Sequence, residues 1–350
     1  MIPGLLRTLL TSPGPSGEEQ APAAAWRDSA ASFAAVSTDV VGSVVARVPG
    51  TAGGPLLAVV GHIDEIGLIV THIDDDGFLW FRGVGGWDWQ ILVGQRVELL
   101  TRDGRVPGVV GRKPIHLLKD EERKKVVDAE SLHIDIGAKD GEEARSLVRV
   151  GDTAVVAAEP VELPNGRVVS RSLDNRLGAF VAHEAARLVA EAGGAPGEVA
   201  AVAAAQEEIT LAGARTSAYA LDPDCAIVVD VTHATDAPGI DVRREGKHEL
   251  GSGPVLTRGT VINPRLFELL YETAEAEGIP FTVEATGGRT STDADIIHLS
   301  RAGVPTALVS IPLRYMHSPV EMVQLSDVEA CARLIAAAAM RLERGFSFER

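Results

Sequence analysis

An uninterrupted apolar segment that ends in two acidic residues most constrains how this chain can fold. Residues 199–205 are all valine or alanine, and Gln206-Glu207-Glu208 follow at once. Such a run, bounded by polar residues, is typical of a parallel strand buried on both faces. Buried parallel strands carry their functional side chains at the carboxyl end, so we predict a site at Glu207 and Glu208. Because successive residues of an extended chain point in opposite directions, we expect the two carboxylates to have different roles.

Composition and charge narrow the class of protein. The chain has 350 residues, 45% hydrophobic and 23% charged, which suits a soluble globular protein of one large or two moderate domains. Its formal net charge of -16 argues against nucleic acid or an anionic membrane as a partner. The chain lacks an apolar stretch of about eighteen residues and a basic, cleavable leader, so we expect a cytoplasmic protein. We interpret Cys225 and Cys331, which lie in apolar patterns, as small core residues.

A second apolar run ends in a histidine and an aspartate. Leu56–Val60 leads into Gly61-His62-Ile63-Asp64. Alternation in an extended segment places His62 and Asp64 on one side, where the carboxylate can accept the second ring N–H and fix the histidine tautomer. Alone, a His-x-Asp pattern more often indicates a structural or solvated pair.

The sequence pattern in the middle of the chain is typical of a small all-β unit. Short β-rich segments alternate with hairpin signals from about residue 71 to 166, after which the α/β pattern returns. We therefore predict one catalytic domain made of residues 1–70 and 167–350, with residues 71–166 as an inserted barrel-like β domain. The aromatic group Trp80, Phe81, Trp87 and Trp89 in this unit fits either a local core or an interface.

Further acids and a second histidine follow the later apolar runs. Asp174 heads a helix, Asp230 follows Ile227–Val229, and His317 lies a short loop beyond Ala307–Ile311. Asp174 alone fits a helix N-cap equally well. Together with His62 and Glu208, however, these residues would supply three carboxylates and two imidazoles at one edge of a sheet.

That set of ligands predicts a metal site. Oxygen and nitrogen ligands without thiolates suit zinc, manganese or cobalt. Two divalent ions with a bridging hydroxide would bring the charge of Asp174, Glu208 and Asp230 to about neutral. Glu207 would then be free to move the proton of the attacking water.

The chain resembles the tetrahedral aminopeptidases, the glutamyl-aminopeptidase-like group of cocatalytic, dinuclear metallopeptidases, along essentially its whole length. The matching segments are His62–Gly67, Leu173–Gly178, Gln206–Glu208, Asp230–Thr232 and Ile311–Pro319. The resemblance implies a mixed-sheet α/β catalytic domain flanked by helices, with an inserted small all-β domain. That domain would drive assembly into homo-oligomers, first dimers and then hollow tetrahedral dodecamers.

The resemblance also assigns roles to individual residues. It implies that His62, Asp174 and Asp230 hold one metal ion and that Asp174, Glu208 and His317 hold the other. Asp174 would bridge the two ions, for which zinc is expected and cobalt or manganese are alternatives.

The same resemblance implies the reaction. Glu207 would be the general base and Asp64 would orient the histidine beside it. The expected activity is metal-dependent removal of N-terminal residues from peptide substrates by a water that the two ions and Glu207 activate.

One departure from the family pattern concerns the substrate pocket. Residues 287–295 stand where the family commonly has Gly-Gly-Thr-Asp-Ala; a buried Arg289 there would favour acidic substrates, and we expect a solvent-facing one. Glu321, just after His317-Ser318-Pro319, could either support the metal ligands or be a solvated charge, and we favour the solvated charge.

Two other functions stay open. A deacylase or dipeptidase could use the same chemistry on a small amide, and a metal-stabilised scaffold would need no reaction. A glycosidase is disfavoured because its two carboxylates must flank a sugar at roughly 5–9.5 Å, which neighbours in sequence are poorly placed to do.

Overall fold

The computed structural model describes residues 1–350 and has three sheets. A mixed sheet of eight strands forms the centre, a closed barrel is inserted into it along the chain, and a small sheet of three strands lies beside it. The strands are β1 Ala35–Thr38, β2 Val44–Val48, β3 Gly54–His62, β4 Gly67–Ile73, β5 Leu79–Val84, β6 Arg96–Thr101, β7 Gly104–Arg112, β8 Leu132–Asp135, β9 Thr153–Val156, β10 Val161–Leu163, β11 Arg167–Ser170, β12 Gly197–Ala204, β13 Cys225–His233, β14 Val255–Gly259, β15 Thr282–Thr286, β16 Thr306–Leu313 and β17 Glu321–Gln324.

Helices cover the central sheet and connect its strands. They are α1 Gly4–Thr11, α2 Gln20–Ala30, α3 Trp89–Leu92, α4 Asp120–Arg123, α5 Gly141–Leu147, α6 Leu173–Glu191, α7 Glu207–Thr210, α8 Ala212–Leu221, α9 Val242–Glu245, α10 Pro264–Ala276, α11 Ala294–Ile297 and α12 Leu325–Met340. This arrangement confirms the predicted mixed-sheet α/β fold with a small all-β unit. None of the helices combines the length and the apolar character that crossing a membrane requires.

The order of strands in the central sheet brings the site residues to one edge. That order is β1-β2-β12-β3-β13-β16-β14-β15, and the four strands from β12 to β16 run parallel. Ala204 at the end of β12 pairs with His62 at the end of β3. Asp230 of β13 pairs with Ser310 of β16. The carboxyl ends of these parallel strands therefore meet where the acidic residues follow them.

Two glycines allow helix α6 to approach strand β3 closely. A Cβ atom on Gly61 would lie 2.1 Å from the carbonyl carbon of Gly178, which no real contact permits. A Cβ atom on Gly178 would lie 2.5 Å from the carbonyl oxygen of Val229. Because both positions lack a side chain, the start of α6, including Asp174, can lie next to the end of β3.

The apolar core has two separate parts. One cluster of 67 buried residues lies around the central sheet, and another of 15 fills the barrel. The barrel order is β4-β5-β8-β7-β6-β9, so its strands lie between Gly67 and Val156 and the first begins before residue 71. The division into domains at residues 71 and 166 stays a prediction.

Candidate metal centre

A cavity of about 500 Å³ lies at the carboxyl edge of the central sheet. The residues predicted from the sequence as metal ligands all line it, as does the predicted base; they are His62, Asp174, Glu207, Glu208, Asp230 and His317. Residues from distant parts of the chain therefore meet in one site.

The carboxylate of Asp174 lies between the two histidines. Its Oδ1 is 3.3 Å from Nε2 of His62, and its Oδ2 is 3.4 Å from Nε2 of His317. Asp174 is not the N-cap of helix α6, because Ser172 occupies that position and Asp174 itself has the non-helical angles φ -79° and ψ 109°. Its side chain is thus directed to the imidazoles rather than to the helix end.

Glu207 and Glu208 face different histidines, although not for the reason predicted. The expectation that they leave the strand in an extended conformation is wrong: Gln206 adopts a left-handed conformation, with φ 58°, and the two glutamates begin the short helix α7. Oε2 of Glu207 lies 3.6 Å from Nε2 of His62. Oε1 of Glu208 lies 3.5 Å from Nε2 of His317. Both carboxylates therefore reach the same cavity.

Asp64 is fully buried behind His62. Its Oδ1 lies 3.2 Å from Nδ1 of His62, although that ring nitrogen has no well-aligned hydrogen bond. The backbone N–H groups of Glu207 and Glu208 each donate to this carboxylate at 3.1 Å, and the Ser16 hydroxyl donates to it as well. Asp64 thereby connects the end of β3 to the turn that carries the two glutamates.

The carbonyl oxygen of Gly86 fixes the orientation of His317. It lies 2.8 Å from Nδ1 of His317, and since a carbonyl can only accept, the ring nitrogen must donate. The other nitrogen, Nε2, is then directed to Asp174 and Glu208, as a metal-binding imidazole requires. Gly86 belongs to the loop after barrel strand β5, so the barrel contributes to the site.

Burial and mutual repulsion disfavour the negative charges of Glu207, Glu208 and Asp230. Burial raises the pKa of Glu207 to about 10, and the charges of Asp230, Asp293 and Glu208 act in the same direction. Burial likewise raises the pKa of Glu208 and, more strongly, that of Asp230. Contact with Asp174 and Glu208 raises the pKa of His317 to about 11. The raised pKa values of these acids and of His317 show that the site favours added positive charge, which bound cations would supply.

Two sets of side chains have ligand atoms close enough together to hold an ion. In each set the ligand atoms lie within 4.8 Å of one another; the sets are His62 with Asp174 and Glu208, and His62 with Glu207 and Asp230. They group the acids differently from the predicted pair of sites. Buried oxygen and nitrogen ligands with excess negative charge fit divalent metal ions.

Comparison with known proteins identifies the family. The model of the M42 glutamyl aminopeptidases matches residues 42–334. The chain belongs to this M42 family. It is therefore a peptide hydrolase of the aminopeptidase type, which confirms the predicted resemblance and the predicted enzyme class. Membership in this metallopeptidase family implies divalent metal ions.

Relatives of this M42 chain match nearly its whole length. The lysyl aminopeptidase of Pyrococcus furiosus is 36% identical over 342 residues, which cover 95% of each chain. The TET aminopeptidase from a marine sediment archaeon of the Thaumarchaeota is 38% identical, with a TM-score of 0.92 over 97% of this chain and 96% of that one. The TET1 peptidase of Pyrococcus horikoshii, described as assembling into a tetrahedron or a large octahedral shell, is 33% identical, with a TM-score of 0.85 over 97% and 99% of the two chains.

Glu321 is part of the site of this M42 protein, and the interpretation of it as a solvated charge is wrong. Its side chain is buried, with 2% of the residue exposed. Oε1 accepts from the backbone N–H of His317 at 2.9 Å, and Oε2 accepts from that of Asp174 at 3.1 Å. Pairing of Ser170 in β11 with Glu321 in β17 brings it there. No local sequence signal announces a partner 147 positions away.

A buried ion network that was not predicted from the sequence lies behind the site. Glu65 pairs with Arg171 and, at 3.0 Å, with Arg176. The guanidinium of Arg176 further donates to the carbonyl oxygen of Ile63 at 2.7 Å. The network holds the chain on both sides of Asp64, since Glu65 also accepts from the backbone N–H of Gly14 at 3.0 Å. Glu65 and Arg176 lie in the segments His62–Gly67 and Leu173–Gly178, which resemble the family. That resemblance was the one sequence feature that could have indicated their importance.

Asp293 is a further buried acid near the site, and no role was predicted for it from the sequence. It is buried, and neither carboxylate oxygen has a hydrogen-bond partner. Burial raises its pKa to about 7. Its charge adds to the negative potential that acts on Glu207 and Asp230.

Proposed function

We propose that the chain is a metal-dependent aminopeptidase that removes N-terminal residues from peptides and binds two divalent metal ions in the cavity at the sheet edge. The observation that carries this proposal is the position of Asp174, whose two oxygens lie 3.3 and 3.4 Å from the imidazoles of His62 and His317. A carboxylate between two other ligands is what a pair of neighbouring ions requires as a bridge.

In this proposal the ligands divide into two groups that share Asp174. His62 and Asp230 complete the site of one ion, and Glu208 and His317 complete the other. Asp64 orients His62 and acts through it. Zinc is the first candidate, and cobalt or manganese would suit the same oxygen and nitrogen ligands.

The proposed chemistry is hydrolysis of the first peptide bond. When bound, the two ions would polarise the scissile carbonyl and lower the pKa of a water molecule. Glu207 accepts a proton from that water and donates a proton to the leaving amine. Its mostly buried carboxylate favours the protonated form that it must adopt between the two transfers.

A free N-terminus would bind beside the metal ions in this cavity of about 500 Å³. The proposal does not depend on the charge of the carboxylates, because the bound ions would offset it. Peptides with free and acetylated N-termini test this position.

We further propose that the protein is a homo-oligomer in which the barrel forms dimers and the dimers form a tetrahedral dodecamer. Ile115, Leu117 and Val126, which follow barrel strand β7, are 63%, 67% and 70% exposed, respectively. Apolar side chains exposed together in one segment are typical of an interface. Native mass spectrometry would give the number of subunits, and a monomer would contradict this part of the proposal.

A panel of short peptides tests the proposed activity. Each peptide is offered with a free and with an acetylated N-terminus to chelated protein, before and after addition of zinc, cobalt or manganese. We expect stepwise release of N-terminal residues from the free peptides alone, and only with metal. Hydrolysis of small blocked amides would favour the deacylase, and no hydrolysis with any metal would favour the scaffold.

A further inference from the structure

A carboxylate that belongs to neither proposed metal site faces the same cavity. Glu284 lies in strand β15, whose residues alternate between half-buried and exposed, and it shares the half-buried face with Thr282 and Thr286. It lines the cavity together with Asp174 and His317. A substrate residue bound at the metal centre would therefore lie in the same cavity as Glu284.

This carboxylate lacks the partner that usually accompanies a half-buried charge. Neither lysine nor arginine lines the cavity. Thr232 and His233 lie on the cavity wall with Glu284. Glu245 adds a second negative charge nearby. A half-buried carboxylate in this setting gains from a cation supplied by a ligand.

The remaining lining disfavours the other kinds of substrate side chain. Val231 and Met316 are the apolar side chains on its wall, which is too little surface for a pocket that selects leucine or phenylalanine. An acidic side chain placed against Glu284 would meet a like charge. Arg289, which could have attracted one if buried, is exposed and does not line the cavity, as expected from the sequence.

We propose that Glu284 is a specificity-determining residue that binds the positively charged side chain of an N-terminal lysine or arginine. The ammonium or guanidinium group would lie against the Glu284 carboxylate, and the aliphatic stem would pass along Met316. This inference rests on the proposed aminopeptidase function and adds the substrate class to it.

Aminoacyl p-nitroanilides of lysine, arginine, norleucine and glutamate test the inference with metal-loaded enzyme. Norleucine has the apolar stem of lysine without its charge, so the ratio of kcat/KM for lysine over norleucine isolates the charge. We expect wild-type protein to favour lysine by about 10- to 100-fold, because a hydrogen bond to a charged group contributes roughly 1.5–3 kcal/mol. The glutamate substrate should be the poorest.

The variant Glu284→Gln should bring that ratio close to one, whereas the matched variant Glu275→Gln, of an exposed glutamate on helix α10, should leave it unchanged. Equal wild-type rates for lysine and norleucine would overturn the inference. A uniform loss of kcat/KM for all four substrates in Glu284→Gln would also overturn it, since the residue would then act on a feature common to all. Failure of every substrate with every metal would instead contradict the proposed function itself.

Discussion

The edge of the central sheet and the interior of the barrel differ in what they bury. Between Gly67 and Val156 the buried polar side chain is that of Thr153, whereas the sheet edge buries charged groups from several elements. Among them are Asp64, Glu65, Asp174, Arg176, Asp230, Asp293 and Glu321. Burying a charge is costly unless it is paired or bound to a metal, so a fold keeps such a cluster only where it has a use.

The barrel, by contrast, supports the site without joining its chemistry. Its contribution is the carbonyl oxygen of Gly86, which accepts a hydrogen bond from Nδ1 of His317 at 2.8 Å. We therefore expect changes at the sheet edge to alter turnover and metal binding, and changes in the barrel core to alter stability. Four predictions test that division.

The largest expected effect is the loss of the general base. Glu207→Gln keeps the size of the side chain but cannot accept a proton, so kcat should fall by about 10²- to 10⁴-fold. Steady-state kinetics on a free peptide measures this, while metal content should stay at the wild-type level. Retained turnover would show that another group moves the proton.

A truncation in the barrel core should lower stability and leave metal binding unchanged. Leu79 is fully buried there, and Leu79→Ala should lower the free energy of unfolding by about 2–5 kcal/mol because of lost burial and a cavity. Urea unfolding measures the change, and Leu299→Ala, at a position that is 65% exposed and lies outside the barrel, is the matched control. Metal affinity should stay unchanged; a large loss of metal affinity in Leu79→Ala would break the division between the two regions.

A substitution of Glu321 tests whether its carboxylate is needed to position the backbone of His317 and Asp174. Glu321→Gln keeps one acceptor for a backbone N–H, but its NH₂ group would face the other N–H donor, at His317 or Asp174. We expect metal affinity to fall by about 10- to 100-fold, as for other groups that orient ligands. Competition with a chelating dye measures it. Unaltered affinity and kcat would mean that Glu321 only fills space.

The fourth prediction is a pH dependence of the stability of the metal-free protein. The pKa of Glu207 rises in the folded state from 4.5 to about 10, and that of Asp293 rises from 3.8 to about 7. The folded state then binds more protons than the unfolded state between these values, so stability should fall as pH rises from about 5 to 9.

Thermal unfolding of chelated protein across that range tests the direction of the change. Bound metal should flatten the dependence, because a cation replaces the protons. A metal-free protein that becomes more stable between pH 5 and 9 would contradict the electrostatic picture of the sheet edge.

Much of the fold and part of the site follow from local sequence patterns. Apolar runs that end in His62, Glu208 and Asp230 predicted the strands and the edge where they meet. Alternation correctly placed His62 and Asp64 together, at 3.2 Å between Nδ1 and Oδ1. These patterns succeed because strand periodicity and burial act over a few residues.

What the sequence could not predict depends on distant partners or on unusual backbone. The left-handed conformation of Gln206 turns Glu207 and Glu208 into a helix, and no glycine marks that position. Glu321 accepts a hydrogen bond from the backbone N–H of Asp174. No local sequence pattern indicates a contact between residues so far apart. Charge partners such as Glu65 and Arg171 are likewise 106 residues apart.

The most direct test of the proposed centre is the metal content of chelated protein reconstituted with zinc, measured per subunit by inductively coupled plasma mass spectrometry alongside turnover. We predict two ions per subunit in the wild type, with activity that requires both, and loss of tight binding in Asp174→Ala. Full activity with one ion per subunit, or two tightly bound ions in Asp174→Ala, would contradict a centre bridged by Asp174.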